Sequence, residues 1–162
     1  HLVLDVTLLS RDDQHIVCLL PAQQASMAFT TLQALATAHG LSLSRGVRLT
    51  FDAPDIFEPL NFPLTGVAHD TPAFAHVATG HCSGLLWLDA TATNEPPSAL
   101  DVLGAMLPFT LDEQKHLSAD ALSALQHLSH SALSARFTLN EADAIAQWLA
   151  HTPLLPSSRA AV

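Results

Sequence analysis

The sequence predicts an α+β fold, an antiparallel sheet of about five or six strands with helices packed on one face and a helical C-terminal third. Two observations predict it. Short apolar runs of strand length fill most of the first half of the chain, whereas apolar residues at helical spacing fill the last third. The order of these elements is typical of helices that are segregated to one side of an antiparallel sheet.

The length of the chain favours a single domain. Its 162 residues are enough for one hydrophobic core and too few for two ordinary domains. We expect one α+β domain over residues 1–152 and a frayed C-terminal tail over 153–162, because Pro153 marks the end of the last helix. The chain begins at His1 directly before a strand pattern, which is expected of a domain trimmed from a longer protein.

The first half of the chain reads as sheet interrupted by one helix. The expected strands share short apolar or alternating patterns, and they cover 2–9, 16–20, 46–51, 73–78 and 85–89. The first two are expected to form a hairpin. Pro21 is expected to open the helix and Gly40 to end it. Residues 56–64 contain Pro59 and Pro63, so they are expected to form at most an edge strand or an extended segment that lacks two ladder donors.

The last third of the chain carries helix signals. Ser98 is expected to cap a helix that ends at Pro108, and Ser118 to cap the next helix. Thr138 and Glu141 have the spacing of a capping box for the final helix. We therefore predict three helices after residue 97.

Charge restricts the partners. Six Lys and Arg against fifteen Asp and Glu give a net charge of −9, which repels nucleic acid and anionic membrane surfaces. No apolar run approaches the 18 or so residues of a membrane span, so we expect no direct membrane insertion by this segment. The predicted partner is another protein, a peptide or a small ligand. A reduced, cytoplasmic location is favoured because two cysteines make no disulfide framework.

Histidine and cysteine are the only candidates for chemistry. His69, His76, His81 and Cys82 lie within fourteen residues and are metal-ligand candidates, although their spacing matches no zinc motif. Gly80 to Gly84 spells G-x-C-x-G, but a strand follows it where a nucleophile elbow needs a helix, so we expect a tight turn. Glycine motifs for dinucleotides or phosphates are absent, and no metal, cofactor or catalytic residue is predicted.

Several segments resemble a known family. Residues 57–66 place Phe57, Asn61 and Gly66 at F-x-x-x-N-x-x-x-x-G spacing, residues 84–88 read Gly-Leu-Leu-Trp-Leu, and residues 111–115 read Leu-Asp-Glu-Gln-Lys. Together with the opening strand 2–6, these segments resemble the C-terminal domain of the bacterial cell-division protein ZipA. The chain departs from that family at Thr65, where the family has proline, and residues 126–162 have no counterpart in it.

The resemblance implies a non-enzymatic domain that binds the C-terminal tail of the tubulin-like protein FtsZ on an apolar sheet face. The implied partner-binding residues are Val3, Val47, Leu49, Phe62 and Leu88. It also implies a cytoplasmic domain tethered to the inner membrane by a segment that this chain does not contain. Two other classes stay open: a small hydrolase or metal-binding protein that uses Cys82 and the nearby histidines, and a structural or immunity-type protein in a stoichiometric complex.

Overall fold

The computed structural model describes residues 2–21, 24–59, 79–89, 97–111, 118–131 and 133–152. Its strands are β1 (Leu2–Arg11), β2 (Gln14–Leu19), β3 (Ser42–Leu49), β4 (Ile56–Glu58), β5 (Gly80–Asp89), β6 (Thr110–Leu111) and β7 (Ser134–Thr138). Its helices are α1 (Ala25–His39), α2 (Ala99–Met106), α3 (Ala119–Ser131) and α4 (Ala142–Ala150). The predicted α+β class is confirmed. Strand 73–78 and tail 153–162 lie outside the described residues.

The strands form one mixed sheet. The hydrogen-bonded order is β2-β1-β3-β4-β5-β7, β6 pairs with β1, and β2 also pairs with β5. The predicted hairpin of β1 and β2 is confirmed, but the expectation of a purely antiparallel sheet is wrong because β5 runs parallel to both β2 and β7. Long connections lead to β5 and β7, so neither strand is constrained to the antiparallel direction that a short hairpin turn imposes.

Strand β5 has two neighbours along one of its edges. Its first residues, Gly80 and His81, pair with β4, whereas Leu85 to Asp89 pair with β7. Because β4 also pairs with β3, five strands form a closed ring of hydrogen-bonded neighbours at this end of the sheet. The expectation of an edge strand is therefore wrong for Ile56–Glu58, which is paired on both sides and stops before Pro59.

Helices cover both faces of the sheet, which corrects the expectation of helices on one face. Helices α2 and α3 pack with β1, β3 and Phe57 into one core cluster, and α1 and α4 pack with the opposite side chains into a second. Strand β2 shows why: Val17 belongs to the first cluster, while Ile16 and Cys18 belong to the second. A continuous apolar run of this kind is typical of a strand buried on both faces.

Most predicted helix ends are confirmed. Gly40 ends α1 with φ of 67°, Ser98 caps α2 in a complete capping box with Asp101, and the Ser118 hydroxyl accepts from the backbone of α3. The capping box predicted at Thr138 is half confirmed: Glu141 accepts from the Thr138 backbone N–H at 3.0 Å, but Thr138 is the last residue of β7 and its hydroxyl donates to Glu141 instead of accepting from the helix backbone. Strand β7 itself was not predicted, so the C-terminal third is not wholly helical.

Candidate functional site

The partner-binding residues predicted from the resemblance do not form a surface in the structure. Val47 and Leu49 are fully buried under α2 and α3, and Leu88 is fully buried in the opposite core. Val3 is partly exposed, and Phe62 lies outside the described residues. A partner therefore cannot reach Val47, Leu49 or Leu88 in this fold.

The histidine and cysteine candidates are separated or lie outside the description. His69 and His76 are not among the described residues. His81 is exposed, and Cys82 follows it in β5, so the two side chains point to opposite faces of the sheet. No group of three metal-binding side chains occurs within the described ranges. The tight turn predicted at Gly80 to Gly84 is wrong, since these residues are the first half of β5.

The Cys82 thiol is poorly suited to nucleophilic attack. Loss of solvent around its sulfur raises the pKa of Cys82 to about 12, and the Sγ donates to the carbonyl oxygen of Gly84 at 3.5 Å. A thiol with so high a pKa is almost wholly protonated at neutral pH, whereas catalysis requires the thiolate.

A buried polar pair lies near the β1–β2 turn. Ser10 Oγ and His15 Nδ1 share a hydrogen bond of 2.6 Å, and the imidazole stacks on Phe57 with ring centroids 6.3 Å apart. His15 is fully buried and Ser10 nearly so. A substrate has no access to this pair, and we interpret it as a means of holding the hairpin against β4.

An open groove is the best candidate for a binding site. Strands β1 and β3 contribute Asp5, Thr7 and Arg45, and helix α1 contributes a wall containing Phe29 and Thr30. The opposite wall is the short 3-10 turn Leu107–Phe109 that follows α2. The groove has a volume of about 710 Å³, and most of its wall surface is apolar. This size lies within the roughly 300–1,000 Å³ of ordinary ligand sites.

An ion pair lines the groove among these apolar walls. Arg45 Nε donates to Asp5 Oδ1 at 2.7 Å, and Nη2 donates to Oδ2 at 2.9 Å. The two side chains remain 32% and 26% exposed. The hydrogen bonds to Asp5 raise the pKa of Arg45 above its ordinary value. This bidentate geometry fixes both groups in one orientation toward the groove.

Comparison of the chain with known proteins adds no relative. No family model, curated protein or solved structure matches it. Among the described helices, none combines the length and the apolar character that are needed to cross a membrane. The functional argument therefore depends on the groove.

Sequence reasoning missed this groove, although it left one signal. Asp5 is a carboxylate inside the apolar strand Leu2–Arg11, and a charge in such a run requires a partner or solvent. Arg45 lies forty residues away, so local patterns do not reveal that the two side chains meet. Pro108 was predicted as a helix end, not as part of a wall.

Proposed function

We propose that this chain is a non-enzymatic protein-binding domain whose groove, bounded by β1, β3, α1 and the 3-10 turn, takes a short peptide segment of a partner protein. The observation that carries the proposal is the open, mostly apolar groove of about 710 Å³. In its most specific form the partner is the C-terminal tail of FtsZ, which the family resemblance suggests. The site differs from the sheet face that the resemblance implies, because the sheet residues Val47, Leu49 and Leu88 are buried.

The shape of the groove supports a peptide that inserts apolar side chains. Phe29, Pro108 and Phe109 present apolar surface to the groove, and an aromatic or branched aliphatic side chain gains free energy by leaving water there. The groove opens to solvent rather than being enclosed. An extended segment can therefore lie across it while its ends stay in solvent.

Charge favours a partner segment that is not acidic. The chain has a net charge of −9, and three of the four described arginines are held in ion pairs. The field of the domain therefore attracts a neutral or basic amphipathic segment and slows the approach of an acidic one. A cytoplasmic location belongs to the same proposal, since both described cysteines are free thiols.

The test is a titration of the domain into a fluorescently labelled FtsZ C-terminal tail peptide, followed by anisotropy. The variant Thr30→Arg places a long charged side chain on the groove wall. Thr37→Arg is its matched control, because Thr37 is also exposed on α1 and makes the same hydroxyl bond four residues back, at the same 3.0 Å. Thr37 does not line the groove.

We expect saturable micromolar binding that Thr30→Arg weakens at least tenfold and Thr37→Arg leaves within twofold. Equal effects of the two variants would show that the peptide does not occupy the groove. A wild-type domain that fails to bind at high micromolar concentration would exclude the FtsZ tail. A peptide library panned on wild type and counter-selected on Thr30→Arg would then test the wider proposal, and recovery of no groove-dependent sequence would refute it.

A further inference from the structure

The position of Asp5 depends on an irregularity in the sheet. The register between β1 and β3 shifts between Leu4 and Thr7, so that Asp5 and Val6 together face the single residue Gly46. Gly46 has φ of 87°, a conformation that other residues adopt at a cost. A bulge of this kind re-aims the side chains around it and occurs frequently beside binding sites. Here it brings Asp5 to the groove beside Arg45.

The Asp5–Arg45 ion pair differs in its position from the other two ion pairs among the described residues. Arg48 and Glu58 are directly opposed partners in the β3–β4 ladder, and Arg136 joins β7 to Asp89 of β5. Both of those pairs bridge neighbouring strands away from the groove. Asp5 instead belongs to the bulge, where it shares Gly46 with Val6 and has no register partner of its own. A partly exposed ion pair contributes little to stability, commonly below about 1 kcal/mol, so its contribution to stability does not account for the bulge.

The paired groups keep much of their hydrogen-bonding capacity. A guanidinium has five N–H donors, and the contacts to Asp5 use one on Nε and one on Nη2. A carboxylate accepts about four hydrogen bonds, and Arg45 supplies two of them. No other described residue takes up the remaining donors and acceptors, so the pair offers both at the wall of a mostly apolar groove.

Charge selects what such a pair binds. The pair is neutral as a unit, so a ligand carboxylate that approaches Arg45 meets Asp5 and the net charge of −9. A ligand ammonium that approaches Asp5 is repelled by the guanidinium of Arg45. The main chain of one extended residue has no net charge and presents its N–H and its C=O on the same side, so the two groups match the acceptor and the donor together.

We infer that Arg45 and Asp5 bind the main chain of one extended residue of the partner segment, Arg45 donating to its carbonyl oxygen and Asp5 accepting from its N–H. This inference rests on the proposed function, since it names how the groove recognises its peptide. The apolar walls then hold the side chains while the ion pair fixes the position of the main chain. Recognition of this kind limits how far the peptide can slide along the groove.

The test reverses the pair without removing it. The double variant Asp5→Arg/Arg45→Asp keeps an ion pair but exchanges donor and acceptor. Its matched control is Arg48→Glu/Glu58→Arg, an exchange on the same strand β3 between side chains of similar exposure, 27% and 34%, outside the groove. Binding of the labelled FtsZ tail peptide is measured by anisotropy, and circular dichroism checks the fold of each variant.

We expect the groove exchange to weaken binding at least tenfold and the control exchange to change it less than twofold. A second measurement needs no protein variant: the backbone amides of the peptide are N-methylated one at a time and tested on the wild-type domain. One position is expected to lose binding at least tenfold. Wild-type binding that survives both the groove exchange and every methylation would overturn the inference and leave the groove proposal standing. If the wild-type domain does not bind the FtsZ tail, the same exchange and N-methylation series are applied to a groove-dependent peptide from the library, and recovery of no such peptide would overturn both proposals.

Discussion

A matched pair of glycine substitutions gives the sharpest check on the architecture. At Gly80 in β5, an added Cβ would lie 2.0 Å from the carbonyl oxygen of Asp13 and 2.6 Å from its carbonyl carbon. An ordinary carbon to oxygen contact is about 3.3 Å, so the two backbones must separate by more than about 1 Å. At Gly104 in α2, an added Cβ meets nothing within 4 Å.

Adding a methyl group is therefore expected to lower the stability of the domain at Gly80 and to raise it at Gly104. Separation at Gly80 also breaks the 2.7 Å hydrogen bond from His81 N–H to Asp13 O. Overpacking costs about 1–3 kcal/mol and a lost hydrogen bond about 1 kcal/mol, so Gly80→Ala should destabilise the domain by about 2–4 kcal/mol. Gly104→Ala should stabilise it by about 0.5–1 kcal/mol, because alanine is the better residue in an exposed helix.

Urea and thermal unfolding followed by circular dichroism measure both effects. For a chain of this size we expect a melting temperature about 5–15 °C lower for Gly80→Ala and about 1–4 °C higher for Gly104→Ala. The close contact between β5 and the β1–β2 turn would be refuted by a Gly80→Ala domain as stable as wild type. A destabilised Gly104→Ala domain would show that the outer face of α2 is occupied.

Other substitutions test the interior and the titrating groups. Ser10→Ala should cost about 1–3 kcal/mol in chemical unfolding because it leaves His15 without one buried hydrogen bond, whereas Ser44→Ala should be neutral or stabilising, since the buried Ser44 hydroxyl has no partner among the described residues. Equal losses for the two serines would contradict this. Hydrogen bonds from Thr138 lower the pKa of Glu141 below 4.5, so the carboxylate contributes stability above that pH that is lost as the pH falls through its folded-state pKa. Wild type should accordingly lose its stability advantage over Glu141→Gln between pH 7 and pH 3, and a constant difference in urea midpoints would be inconsistent with that bond. The pKa of Cys82 rises from 9.0 to about 12, so the thiolate fraction at pH 8 falls about a thousandfold. Alkylation of Cys82 by iodoacetamide should be slower by that factor in the folded domain than in urea, and rapid labelling of the native protein would revive the hydrolase alternative.

Local patterns predicted the elements well where short-range physics decides them. The hairpin of β1 and β2, the end of α1 at Gly40 and the caps at Ser98 and Ser118 follow from turn and cap chemistry within a few residues. Strand β7 is only five residues long and lies between two helices, so its pattern competed with strong helical spacing. The direction of β5 depends on long-range pairing, which periodicity does not encode.

The site was less predictable than the fold. The sequence alone is equally consistent with a docking face and with a buried core for the apolar strand residues Val47, Leu49 and Leu88. In the structure they are buried under helices and belong to the core. Helices pack on both faces of the sheet because both faces of β2 are apolar. The continuous apolar run Ile16 to Leu19 carries this signal in the sequence. The groove needs residues from five separate elements, since Cys18 of β2 also lines it, and the proximity of these residues depends on the tertiary fold.

The parallel pairing of β2 with β5 has a consequence for synthesis on the ribosome. Leu19 pairs with Trp87, sixty-eight residues later. One edge of β2 therefore stays unpaired during synthesis until β5 has emerged. At about 5–20 residues per second, this interval lasts several seconds. During it, the apolar run Ile16 to Leu19 presents an open edge of the kind that recruits other chains into aggregates. Nascent chains halted before residue 80 should therefore depend strongly on chaperones, and release of this dependence should coincide with the emergence of β5.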